Sequence, residues 1–360
     1  MHGKIVLKKG YFTEVRHRIY ESGEFFAETW RYPSGVEALT LGNSRGHITV
    51  LPYMGQMVWD AVFDGVDLTM KNMFSQPLPA STIVETYGCY LYHSGLLRNG
   101  CPGPEDNHPL HGEMPCASMD SAEIIFGSDA DGLYCGIAGS FEYVMGFGDH
   151  YRAEPSLRLR AGSGLFDVRM AVTNLGGAEM ELMYMCHMNP LFQRDAEILQ
   201  PMAYSIENVI TRTSIPDHVK PTPEWLEFLN KVADNPGEMA QLTEEEKYNP
   251  EFVFFLRNPG IDASGQIHFL LKLKDGSSCY CGYSPKEFDH AVRWVMANPD
   301  QQVAAFVLPG TCEPEGYSAE KAKGNIKILQ PGQCREFHVR TGLLAQAESL
   351  GMEEIIQSLS

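Results

Sequence analysis

The sequence predicts an all-β protein, a large antiparallel β-sandwich with a small helical insertion. Two observations carry that expectation. Short strand-like runs punctuated by Gly, Pro, Asn and Asp fill most of the 360 residues, and apolar and polar residues alternate within several of them. Period-two alternation turns one set of side chains into a core and the other toward water. Many strands at this spacing favour a sandwich or barrel over alternating strands and helices.

Taken in order, HITVLPYMG (47–55) and GLYCGIAGSFEYV (132–144) read as strands closed by turn residues. SLRLRAGSGLFDVRMAVTNLG (156–176) reads as two strands joined by a hairpin, because LRLRA and FDVRMAV alternate and AGSG breaks between them. QIHFLLKLKDG (266–276) is a further strand ending in a turn. Two segments have helical character. In TPEWLEFLNKVADNPGEMAQLTEEEKY (222–248), Thr222 is placed to cap a helix whose first position is Pro223, and Asn235-Pro236-Gly237 breaks it in two. Lying between strand-rich halves, this segment reads as an insertion or lid. The second helical segment is a C-terminal tail, 347–359. One domain spanning 1–360 accommodates all of this.

Composition narrows the function. Hydrophobic residues make up 44% and charged residues 21% of the chain, ordinary values for a globular protein. The net charge is −18, with no long basic run, which argues against nucleic acid as a partner. No run approaches a membrane span, and MHGKIVLKKGYF lacks the apolar core of a secretory signal. Nine scattered cysteines without a CxxC pair point to reduced thiols and a cytoplasmic location.

Three patches could carry chemistry. Residues 87–116 hold His93, His108 and His111, Arg98, and the acids Glu105, Asp106 and Glu113 among Gly and Pro breaks. Such a loop either carries function on a rigid scaffold or is a solvated surface loop. In ELMYMCHMNPLF, His187 sits within an apolar strand, where a histidine is commonly a core residue. VAAFVLPGTCEPEG ends a buried-type strand in Glu313, Pro314 and Glu315. A carboxylate just past a buried strand is partly desolvated, which raises its pKa toward that of a general base. Trp59, Trp294, Tyr87, Tyr90 and Tyr92 are candidate stacking platforms for a sugar ring, although strand aromatics more often pack a core.

The order of these patches resembles that of the aldose 1-epimerase (galactose mutarotase-like) family, in a divergent branch. The resemblance rests on LPYMGQMVWDAVFDG (51–65), NGCPGPEDNHPLHGE (99–113), VTNLGGAEMELMYMCHMNP (172–190) and LPGTCEPEG (308–316), and spans roughly residues 40–342. It implies a supersandwich fold, a sugar substrate and exchange of the sugar's anomers, with no metal or organic cofactor. Residue by residue it implies His187 as general acid and Glu313 as general base. His111 of LHGE and Arg98 become sugar contacts, and Arg293, beside Trp294, is a further candidate for binding an acidic sugar. Three departures mark the branch: Arg98 precedes Asn99, Glu113 stands where a glycine is usual, and Met188 replaces an aromatic before Asn189. The family's acidic contact from the middle of the chain has no clear match. A monomer or homodimer acting on a small sugar, without nucleic acid or membrane, is the expected assembly. Two other functions fit the residues. His93, His108 and His111 with Glu105, Asp106 or Glu113 could form the metal site of a sugar isomerase, or the sandwich could bind carbohydrate without catalysis.

Overall fold

The computed structural model describes residues 2–215 and 219–360. Two antiparallel sheets face each other across the core. The nine-stranded sheet runs, edge to edge, through Gly3–Val6, Ser121–Asp129, Gly132–Val144, His150–Arg160, Leu165–Asn174, Cys334–Leu344, Ser278–Tyr283, Ile267–Lys272 and Glu197–Leu199. The thirteen-stranded sheet has the site strands at one end, in the order Val209–Thr211, Phe252–Leu256, His290–Ala297, Gln302–Gly310, Met180–Met188 and Leu91–Leu96. This is the large antiparallel β-sandwich that the sequence predicts.

The alternation that predicts the strands is realised in their burial. In Leu165–Asn174, Phe166, Val168 and Met170 are buried while Leu165, Asp167 and Arg169 are partly exposed. The predicted hairpin pairs Leu159 with Phe166 and Arg158 with Asp167. Inward side chains of the two sheets meet directly. Phe63 stacks on Phe166 with centroids 6.2 Å apart, and Tyr184 lies 4.8 Å from Phe337. Each such aromatic contributes roughly 2 kcal/mol of transfer free energy on burial.

The site strands depart from alternation. Phe252–Leu256 is buried throughout, and Met180–Met188 nearly so. Their second face is covered as well, by the 99–116 loop and the turn after Gly310. Covered strands of this kind read as continuous apolar runs, which is why ELMYMCHM and FVFFL carry so few polar residues.

The 222–248 segment forms a helix, Pro223–Asp234, followed by short 3-10 turns at Pro236–Met239 and Glu245–Tyr248. Thr222 caps the helix, its hydroxyl oxygen accepting the Trp225 N–H at 3.2 Å. Trp225 and Phe228 pack on Phe252, with ring centroids 5.4 Å away in each case, anchoring the segment to the edge of the larger sheet. The C-terminal helix Gln346–Leu359 docks through Ile356 and through a 2.9 Å Lys272–Glu353 ion pair. No helix among the described residues is long and apolar enough to cross a membrane.

Candidate active site

On the Met180–Met188 strand, Tyr184 turns toward the opposite sheet, so Met185 and His187 face the other way. There they meet Trp294 and Met296 of the His290–Ala297 strand and Glu251 and Val253 at the head of Phe252–Leu256. The 99–116 loop folds over them, and together these elements enclose a cavity of about 870 Å³. Two glycines make the loop's path possible. At Gly100 (φ 79°) an added Cβ would lie 2.3 Å from the Pro314 carbonyl carbon, and at Gly112 (φ 79°) 2.0 Å from the Arg98 carbonyl oxygen. Only glycine allows both close approaches. The Gly112 approach folds the histidine loop on itself, and the Gly100 approach stitches it to the Glu313–Glu315 turn, where the Cys101 N–H donates to the Pro314 carbonyl at 3.0 Å.

Two imidazoles stand together in this cavity. His111 and His187 meet edge to face with centroids 4.8 Å apart, and His187 stacks on Tyr92 at 4.5 Å. The hydrogen bonds behind each ring fix its tautomer. Asn189 donates its amide N–H to the Cys89 carbonyl at 2.9 Å, so its oxygen accepts from His187 Nδ1 at 2.9 Å. Asn99 donates to Cys312 Sγ at 3.4 Å, the Ser94 hydroxyl donates to the Asn99 oxygen, and Ser94 Oγ then accepts from His111 Nδ1 at 3.0 Å. Both rings therefore carry the proton on Nδ1 and keep Nε2 as the nitrogen with a lone pair. Burial pushes His111 down to about 3, and burial together with the neighbouring His111 holds His187 well below the ordinary histidine value. Both are neutral at physiological pH.

Facing them is a charged pair that the sequence did not reveal. Arg212 donates to Glu251 at 2.7 Å, and the Trp294 indole N–H donates to the other Glu251 oxygen at 2.8 Å. Glu251 is the acidic residue from the middle of the chain that this cavity contains. The signal for it was a lone carboxylate at the head of the all-apolar FVFFL strand. Tyr87 also lines the cavity, its hydroxyl 3.1 Å from that of Tyr92.

Other expected site residues lie elsewhere. Arg98 does not line the cavity. Its guanidinium lies 3.8 Å over the Tyr317 ring and donates to its neighbour's carbonyl, Leu97 O, at 2.7 Å. Arg293 is turned into the core, because pleating that points Trp294 at the cavity points its neighbour the opposite way. It donates to the Phe306 carbonyl at 2.9 Å and to Gln200 at 2.6 Å. Trp59 packs in a separate cluster, and Tyr90 bonds Thr341 across the core at 2.9 Å.

Glu313 is 3% exposed, and its carboxylate is held by Arg257 and by Lys323 (2.6 Å). Burial alone would raise its pKa, but hydrogen bonds from Lys323 and Arg257 outweigh that and hold it below the ordinary carboxylate value. Its neighbours Pro314 and Glu315, rather than Glu313 itself, line the cavity. Among the described residues, Glu313, Glu315 and Glu320 form the one acidic group close enough to share a cation. Lys323 already donates to all three. Of the set that could have held a metal in an isomerase, His108 and Asp106 lie 3.8 Å apart, but no three members come together among the described residues. His93 bonds Tyr184 at 2.9 Å in the core, Asp106 accepts from Ser318, and Glu113 accepts from the Leu96 and Leu97 N–H groups.

The fold defines the class, a sandwich of the galactose mutarotase-like type. The chain belongs to the family described as a domain of unknown function (DUF4432), whose profile matches residues 33–343. A Klebsiella pneumoniae protein provisionally named an aldose 1-epimerase superposes with a TM-score of 0.81 at 16% identity, over 100% of this chain and 96% of that one. A galactose mutarotase-like protein from Clostridium acetobutylicum gives 0.59 at 13% identity, covering 89% of this chain and 99% of its own. Another, from Lactobacillus casei, gives 0.54 at 13%, covering 85% and 100%. At these identities the likeness establishes the fold. No curated protein matches the sequence significantly.

Proposed function

We propose that the protein binds an aldose in this cavity and interconverts its α and β anomers. The observation that carries the reading is the pair of neutral imidazoles lining the cavity, 4.8 Å apart, each with Nδ1 held by a fixed partner and Nε2 without a hydrogen bond among the described residues. Anomerisation needs one proton moved from the C1 hydroxyl to the ring oxygen while the bond between C1 and that oxygen breaks. Both oxygens are attached to C1, so a single Nε2 can serve both. His187 takes the hydroxyl proton as C1=O forms, and the imidazolium so produced returns it to the ring oxygen. Rotation about C1–C2 and the reverse sequence close the other anomer. His111 accepts a further sugar hydroxyl, Glu251 offsets the transient positive charge, and Trp294 supplies an apolar face for the ring.

In this scheme His187 enters as a base, and the imidazolium it forms is the acid that the resemblance implies. Glu313, fully engaged by Arg257 and Lys323, shapes the Pro314–Glu315 wall rather than moving a proton. The engagement of Glu313 also favours a second reading, carbohydrate binding without catalysis. Anomer exchange measured by NMR across a panel of aldoses, against a buffer blank, separates the two. Acceleration for any aldose supports the mutarotase, whereas saturable binding with no acceleration supports the binding protein.

A further inference from the structure

We propose, resting on the mutarotase reading, that the substrate is an uncharged aldose whose end remote from C1 is apolar. The cavity has two chemically distinct zones. Its base holds His111 and His187, at 7% and 3% exposure, with Glu251 and Arg212 beside them. Aliphatic side chains dominate one side of its mouth. Val84 is 56% exposed and Ile215 39% exposed, and the partly exposed Leu110 completes a collar drawn from three separate segments of the chain, with Ser214 its polar member. Large aliphatic side chains left open around a cavity gain by being covered, and a sugar hydroxyl placed against them loses water without finding a partner.

Charge narrows the class further. Among the described residues, the charged groups lining the cavity are paired, Arg212 with Glu251 at 2.7 Å and Glu315 with Lys323. Arg293, the cation that would have suited an acidic sugar, lies in the core. A phosphate or carboxylate on the substrate would have to break one of these pairs. A deoxygenated or alkylated terminal carbon on a neutral sugar meets the collar without doing so.

The test compares an aldohexose with the counterpart of the same configuration deoxygenated at its terminal carbon. Anomer exchange is read by NMR and binding by calorimetry, in the wild type and in Val84→Ser and Leu110→Ser. Val84 is exposed, so Val84→Ser keeps the fold and remains informative if Leu110→Ser does not. The expected result is a preference of about tenfold for the deoxygenated sugar in kcat/KM, the size of discrimination one small group supports in an apolar pocket, shrinking toward parity in the variants. If neither sugar is exchanged but the deoxygenated one binds tighter and the variants abolish that difference, the collar stands and the mutarotase reading falls. Equal treatment of the two sugars by the wild type, a preference for the hydroxylated parent, or a preference that survives in the variants overturns the collar.

Discussion

What His187 and His111 can do is set by the groups behind their Nδ1 atoms. The Asn189 amide is oriented by the Cys89 carbonyl, and it in turn fixes the His187 ring where it lines the cavity. Asn189→Ala, which frees the ring to flip and change tautomer, should lower kcat roughly tenfold, the equivalent of about 1.4 kcal/mol, with little change in KM. The same burial makes the protein acid-sensitive. His93 and His111 are each pushed from 6.5 down to about 3, so the unfolded chain binds protons that the folded one refuses between those values. The contribution of these two rings to stability is therefore complete above about pH 6.5 and falls as pH drops toward 3, by roughly 1.4 kcal/mol per pH unit for each ring. Chemical denaturation at pH 7 and pH 5 checks this, and His93→Gln should flatten the slope. The sequence singled out His111 and His187 by their motifs, and the structure brings the two rings together in one cavity. Arg98 and Arg293 misled because side-chain direction depends on a turn and on pleat register. Arg293 is one residue from Trp294, and that single step separates core from cavity.

At the scale of elements, the turn after Gly310 depends on the short helix Tyr317–Lys323. Lys323 reaches from its last turn to Glu313, Glu315 and Glu320. Lys323→Met leaves three adjacent carboxylates without their shared cation. It should cost roughly 2 kcal/mol at pH 7, discounted from the fully buried case because Lys323 is 34% exposed. Glu313 is held below its ordinary value of 4.5, so its ion-pair contribution is present above that pH and lost below it. The gap between wild type and variant should accordingly narrow as pH falls through 4.5. The sequence marked Glu313 by its place after a buried strand but could not show Lys323 ten residues on turning back to it. The 222–248 helix was legible because Thr222, Pro223 and the Asn-Pro-Gly break are local signals. Its docking on Phe252 was not, since that depends on which sheet edge it meets. None of its residues lines the cavity, so it flanks the site rather than covering it.

For the whole molecule, alternation made the sandwich readable, whereas the covering of the doubly buried site strands by a loop emerged only from the structure. The identity of that loop was suggested by its density of histidines, glycines and prolines. Its stitching to the Pro314 turn is a long-range contact that no local pattern encodes. Phe166 joins the two sheets through Phe63, and Phe166→Ala should cost about 3–5 kcal/mol in denaturant unfolding. The central claim is that this sandwich holds a sugar while His187 moves its proton. It is tested most directly by anomer exchange on the best aldose substrate, measured for wild type, His187→Ala and Glu313→Gln. The account predicts a loss of about a hundredfold or more for His187→Ala, and a loss of under about tenfold for folded Glu313→Gln. Full activity in His187→Ala, or a folded Glu313→Gln protein as inactive as His187→Ala, would contradict it.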